Sequence, residues 1–516
     1  MSFNTEKIVQ DIRTEFESML LYVAGSAPVT ADQAERELFK RLLDLGAQLL
    51  SVFFHQQTAS YPHTPVKTET GVELPYLCDK KRSYYSIFGK LAVWRPYFYA
   101  KDGGSASPLD AELSLGANCY SDLLRELAEN LGVDVTYEKV SEIFGRLLGQ
   151  PLSTQAIQTL VADDAADVAV YYEQKPAPDP ESEASILIIQ SDGKGVPMVR
   201  ETSIEAKVRL SKGEKRASKK EAVVTAAYTL APVVRTPAEV VNSFFHKEQA
   251  AHSSSTKRTK PQNKHVWATL TGKDAALQRL AKQVAIRDGA HIQQRVALTD
   301  GCEALQQRIQ QYFPQFTLIL DFIHANEYLW KAANGLFGEQ SALRDPWVEQ
   351  QTLQILSGQT QQVIALLRNL AQKSKRPKAQ RTALETAANY FQRNLSYMHY
   401  DRYLAQGWPI ASGVIEGACR HFVKDRFELS GMRWTKEGAE HLLLLRAVAE
   451  NGDWDDYHRF RKQQRHARLY NSSFPHQRTP EEQALTKPPS SKIIRFDQAV
   501  QRRRSQRNLY QQPLAA

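Results

Sequence analysis

Two short apolar runs that end in the same dipeptide constrain this chain more than any other feature. Ser185-Ile-Leu-Ile-Ile-Gln-Ser-Asp192 and Val296-Ala-Leu-Thr-Asp300 are each long enough for one buried strand, and each delivers an aspartate followed by glycine. A further apolar run, Phe316-Thr-Leu-Ile-Leu, leads into Asp321-Phe-Ile-His324. Taken singly, these are bland. Asp-Gly is a common turn, Asp300 or Asp321 could cap a helix, and a histidine among apolar residues is often a core residue.

The order of elements around them carries more. Strands are expected at 185–192, 196–199 and 222–230, then at 296–300 and 316–320, with a helix from Cys302 to about Tyr312 stopped by Phe313-Pro314. Between the second and third strands lies a basic loop with Lys207, Arg209, Lys212, Lys215, Arg216, Lys219 and Lys220. Residues 324–400 read as mainly helix. Ser412-Gly-Val-Ile-Glu416 then opens another helix, on which Arg420 and Lys424 follow at i+4 and i+8 and share the face of Glu416. Two strand-end aspartates and one helical glutamate would converge as three carboxylates. Oxygen donors of this kind hold Mg²⁺ or Mn²⁺, and a pair of such ions can drive phosphodiester chemistry.

Upstream, residues 5–57 read as two amphipathic helices, with Val9, Ile12, Phe16 and Met19 on one and Leu38, Leu42, Leu45, Leu49 and Val52 on the other. Residues 82–99 read as a β-hairpin split at Phe88-Gly89. Thr136 and Ser153 can cap two helices separated by Gly149, the outline of a helix-turn-helix, although any helical hairpin looks like this. Pro176, Pro178 and Pro180 mark a linker. The expected segments are 1–75, helical; 76–175, hairpin and helices; 184–323, the strand-rich part; 324–405, helical; 406–452, the segment with Glu416; and 453–516, a basic tail.

Composition excludes several classes. The 516 residues are 42% hydrophobic and 24% charged, ordinary for a globular multidomain chain. No apolar stretch approaches the roughly 20 residues that span a bilayer. Four cysteines without CxxC spacing suit neither a disulfide scaffold nor a zinc cluster, so a cytoplasmic, reduced protein is expected. The net charge of +9 is concentrated late: residues 457–507 carry thirteen Lys and Arg against three acids. Such a tail either binds a polyanion or merely solubilises.

At these residues the sequence resembles a bacterial insertion-sequence transposase of the DDE class, of the ISKra type within the Mutator-like group. The resemblance rests on 190–199, 298–306 with Phe313-Pro314, 321–330 and 412–434, supported by 89–113. It implies a multidomain α/β protein with a ribonuclease-H-like core and an all-helical insertion. It also implies Asp192, Asp300 and Glu416 as catalytic metal ligands, with two Mg²⁺ or Mn²⁺ ions. Asp321 and His324 match a supporting [C/D]xxH signature, and Asp321 is the rival for second ligand. Lys194, Lys215, Arg216, Lys219, Lys220, Arg420, Lys424, Arg426, Arg433 and Trp434 are expected on DNA. The partners implied are element ends, target DNA and at least one further copy of the chain, with no membrane. A silent DNA-binding derivative and a nuclease that cuts without joining are the alternatives.

Overall fold

The computed structural model describes residues 5–25, 28–68, 71–199, 219–246, 260–373, 377–429 and 431–471. The chain is an α/β protein that divides into two compact units, 1–124 with 462–516, and 125–461.

In the first unit, helices α1 (Thr5–Ala24) and α2 (Ala31–Ala59) form an antiparallel hairpin. Thr30 and Gln33 close a reciprocal cap at the start of α2. Across the hairpin Arg41 reaches Ser18 at 3.2 Å. Two short strands, β1 (Val66–Lys67) and β2 (Glu73–Leu74), pair with each other. Strands β3 (Tyr76–Ser86), β4 (Gly89–Ala100) and β5 (Gly104–Ala106) make an antiparallel sheet. Phe54 of α2 packs on Leu91 and Val93 of β4.

The second unit is built on a five-stranded sheet. Its strands are β6 (Ile186–Pro197), β7 (Lys219–Leu230), β8 (Gln262–Thr269), β9 (Gln294–Thr299) and β10 (Thr317–Leu320), in the order β10-β9-β6-β7-β8. β6, β9 and β10 are parallel, whereas β7 and β8 are antiparallel additions. One expectation is corrected here. The separate strands at 185–192 and 196–199 are one strand, because β6 pairs with β7 without interruption from Ile186 to Pro197. β8 and the helix Lys273–Arg287 went unpredicted.

Side-chain alternation divides the core into two layers. Leu187, Ile189 and Ala297 face one way and pack on Leu277, Leu280 and Val284 of helix Lys273–Arg287. Ile186, Ile188, Val296, Leu298 and Ile319 face the other way, against a helical layer that includes Phe322, Leu329, Leu367 and Phe391. That layer fills the interval between β10 and Glu416, where the sequence predicts a helical insertion.

The helices Tyr137–Leu148 and Thr154–Ala165 carry the expected caps, with Gly149 left-handed between them at φ 68°. Asp164 on the second is buried and accepts from Arg461 at 3.0 Å. Arg461 lies on the helix Trp454–His466, so the expectation of a basic tail from residue 453 is corrected. This helix buries Tyr457 and Arg461, and Arg465 pairs with Asp122. Charge is used there to hold helices together, and the tail proper lies outside the described residues. No helix among the described residues is long and apolar enough to cross a membrane.

Candidate active site

The strand register sets three aspartates in a row. β6 pairs with β9 from Ile186 opposite Gln294 to Gln190 opposite Leu298. The same offset carried two residues further places Asp192 opposite Asp300. β9 pairs with β10 up to Thr299 opposite Leu320, so Asp300 and Asp321 are neighbours in turn. Adjacent strands lie about 4.8 Å apart. By alternation all three side chains belong to the face that carries Ile186, Ile188, Val296, Leu298 and Ile319, beneath the helical layer.

The three differ in what already occupies them. Asp192 is half-buried; its Oδ1 accepts the Gly193 amide at 2.6 Å and its Oδ2 accepts the Cys419 thiol at 3.3 Å. Burial raises its pKa, and Asp300 nearby adds to the rise. Asp300 Oδ1 accepts the Cys302 amide at 3.0 Å, and its Oδ2 takes no hydrogen bond among the described residues. Tyr390 donates to the Asp300 carbonyl at 2.8 Å, and Arg393 to that of Gly301 at 2.9 Å. Gly301 has φ 90°, and a Cβ there would come within 2.7 Å of the Tyr390 hydroxyl, so only glycine fits.

Asp321 is wholly buried and fully engaged. Its Oδ1 accepts the amides of Ile323 at 2.5 Å and His324 at 3.3 Å, capping helix Phe322–Phe337. Its Oδ2 accepts both the amide and the hydroxyl of Ser412. Ser412 precedes the short helix Gly413–Gly417, which is pinned a second time by the Ile415 amide on Gln190 Oε1 at 2.9 Å. These two tethers bring Glu416 to the aspartates.

One ligand atom from each of Asp321, His324 and Glu416 lies within 4.8 Å of the others. His324 Nδ1 stands 3.8 Å from Asp321 Oδ2, an ion-pair distance too long for a hydrogen bond. The Asp321 carboxylate pushes the pKa of His324 up to about 9. Glu416 is exposed, and its pKa is raised by partial burial, then by Asp321, with Glu327 and Asp192 adding to it.

From Ala418 to Lys424 the chain forms a π-helix, closed by the Asp425 amide on the Arg420 carbonyl five residues back. Insertions of this kind recur at functional sites. The α-helical spacing expected for Glu416, Arg420 and Lys424 is therefore altered, although Arg420 and Lys424 both remain exposed.

The other residues expected on DNA divide sharply. Lys194 is half-buried near Cys419, Lys220 is half-buried and Arg433 is exposed. Lys219 is exposed but paired with Glu428. Lys215 and Arg216 lie outside the described residues. Arg426 and Trp434 are corrections, because both are buried. The Arg426 guanidinium lies beside Tyr137 and Trp434, 5.3 and 5.0 Å from the centres of two rings that meet edge to face, and donates to the Gly132 carbonyl at 3.0 Å. Burial pulls its pKa down to about 10. Trp434 exchanges backbone hydrogen bonds with Pro197 and Val199. Both residues serve packing.

A second acidic cluster, Glu129, Asp164 and His458, is buried in the same unit. Arg125 and Arg461 both pair with Asp164, so arginines already supply the cationic charge there.

Ser412, Gln190, Tyr390 and Cys419 escape sequence reasoning, since each acts on a partner distant in sequence. No family model matches this sequence. No curated protein matches it. Among solved structures, the Drosophila P element transposase strand transfer complex is similar over 69% of this chain and 82% of its own, at 9% identity and a TM-score of 0.23.

Proposed function

We propose that this chain is an insertion-sequence transposase of the DDE class that cuts element ends and joins them to target DNA on a ribonuclease-H-like core. The observation that carries the reading is the parallel register of β6 and β9, which ends at Gln190 opposite Leu298 and leads toward Asp192 and Asp300, with the helix of Glu416 pinned nearby through Gln190 and Asp321. The order of strands supports it: an antiparallel trio, two parallel strands, then a helical insertion before the glutamate.

The donor set fits a hard divalent cation. Asp300 and Glu416 each keep an oxygen without a hydrogen bond among the described residues, and Asp192 Oδ2 receives only a weak thiol donor. Asp321 fits less well, because donors occupy both of its oxygens. Asp192, Asp300 and Glu416 would hold two Mg²⁺ or Mn²⁺ ions. When bound, such ions make a water or a 3′-hydroxyl a competent nucleophile and stabilise the leaving oxygen. Asp321 acts as the latch that carries Glu416 inward, and His324 balances the charge of Asp321 and Glu416. Lys194, Arg420 and Lys424 would bind the phosphates of the strand being cut.

The test uses labelled DNA carrying the inverted repeats that flank the gene, with Mg²⁺ and a target plasmid. Wild type should cut and join, and Asp192→Asn, Asp300→Asn and Glu416→Gln should each lose roughly a thousandfold or more while still binding ends. Cutting without joining would make the chain a nuclease. Binding without cutting would make it a silent derivative.

A further inference from the structure

The apolar faces of α1 and α2 are wider than their hairpin can bury. Val9, Ile12, Phe16, Met19 and Val23 recur at alternating steps of three and four, and so do Leu38, Leu42, Leu45, Leu49 and Val52. These are heptad patterns. Within each, one set of positions turns inward, Met19 most fully, at 5% exposure. The alternate positions and their neighbours stay out: Phe16, Leu20 and Val23 on α1, and Leu42, Leu49 and Phe53 on α2, all between 45% and 54% exposed. A stripe of this width belongs to a helix packed on two sides, as in a bundle.

The two exposed stripes meet. On each helix the stripe lies about 100° around the axis from the line of hairpin contact, in the direction of increasing residue number. Because the helices are antiparallel, these equal rotations lead to the same side of the hairpin. Half of a side chain of ~200 Å² leaves ~100 Å² apiece, or ~600 Å² for the six. That is at the upper limit of what monomers expose. It also matches the apolar share of the ~800 Å² that each partner contributes to a standard interface.

We infer that this face is a self-association surface, on which the hairpin of a second copy seats to complete a four-helix bundle about a two-fold axis. One hairpin offers two antiparallel helices with their free stripes on one side, and a symmetric partner offers the same surface, so the contact closes on itself. The inference is independent of the proposed chemistry, and its test involves neither DNA nor metal.

Sedimentation velocity of the full chain across about 1–50 μM should give a mass twice that of the monomer. Two variants are measured in parallel, Leu42→Glu with Leu49→Glu, and Phe16→Ser with Leu20→Ser. Since every altered residue is half-exposed in the single chain, helical circular dichroism and Tm should hold, while dimerisation weakens by about 100-fold or more. A monomeric wild type, or a folded variant of either pair that keeps the dimer mass, would overturn the inference. If one pair fails to fold, the other decides.

Discussion

Ser412 closes on Asp321 with two donors at once, its amide at 2.8 Å and its hydroxyl, both to Oδ2 of a wholly buried carboxylate. Asp321 is thereby a structural latch between β10 and the helix of Glu416. Asp321→Ala should cost about 3 kcal/mol or more, through loss of a helix cap and of hydrogen bonds to a buried charge. Asp300→Ala, at a half-buried carboxylate with one backbone donor, should cost about 1 kcal/mol. Urea titration of both variants distinguishes them, and equal losses would contradict the division of roles.

Asp192 is burdened by its surroundings when no cation is bound. Burial raises its pKa, so its contribution favours folding below the unfolded carboxylate value and is lost as pH rises through the folded one. Asp192→Asn should therefore raise Tm at pH 7.5 in chelator, and the gain should shrink below about pH 4. A variant less stable than wild type at neutral pH would count against a strained acid.

His324 should show a pH dependence of the same sign, with its charged form as the stabilised one. Its pKa is pushed up to about 9 by Asp321, so its stabilisation is complete below about pH 6.5 and disappears as pH rises through 9. Relative to wild type, His324→Asn should be destabilised at pH 6, with the deficit closing by about pH 10. A deficit that does not change with pH would assign His324 to packing alone.

Arg426 should be replaceable by nothing. Arg426→Ala should lose on the order of 3 kcal/mol, since it removes a buried cation packed against two rings and leaves the Gly132 carbonyl without its donor. Arg426→Lys should not restore it, because an ammonium lacks the planar guanidinium that packs beside Tyr137 and Trp434 and cannot donate in the same fork. Chemical denaturation of the two variants gives the comparison.

Two truncations should behave differently. Ending the chain before Tyr457 removes buried Tyr457 and Arg461 and leaves Asp164 with one arginine fewer, so that protein should misfold or lose several kcal/mol. Ending it after Asn471 removes eight Lys and Arg and three acids. If that segment lies on phosphates, DNA affinity should fall and its salt dependence flatten. An unchanged slope would leave the tail off the DNA.

Much of the site is legible in the sequence because it is made of local signals. Asp192, Asp300 and Asp321 each follow an apolar run, and such a run describes a buried strand in a few letters; at Asp300 and Asp321 the strand also ends there, whereas at Asp192 it continues to Pro197. Thr136, Gly149 and Ser153 are legible for the same reason. What is not legible depends on partners far along the chain. Asp192-Gly193 has the composition of a turn, yet twelve residues of β7 hold it within one strand. Arg426 and Arg461 look like surface charge until Tyr137, Trp434 and Asp164 are brought around them. β8 begins with Gln262, Asn263, Lys264 and His265, which hides the apolar Val266-Trp267-Ala268 behind a polar start.

The π-helical stretch after Glu416 sets the angular phase of everything that follows it. Removing one residue between Ala418 and Lys424 would return the stretch to ordinary α-helix and rotate the later side chains by about 100° relative to Glu416. The carboxylate would keep its position, and Arg426 would swing away from Tyr137 and Trp434. The spacing of ten residues from Glu416 to Arg426 is thus a mechanical dimension, as fixed as the length of a strut. A homologous chain one residue shorter here would have to find another anchor for its helix, or lose the glutamate's alignment with the sheet.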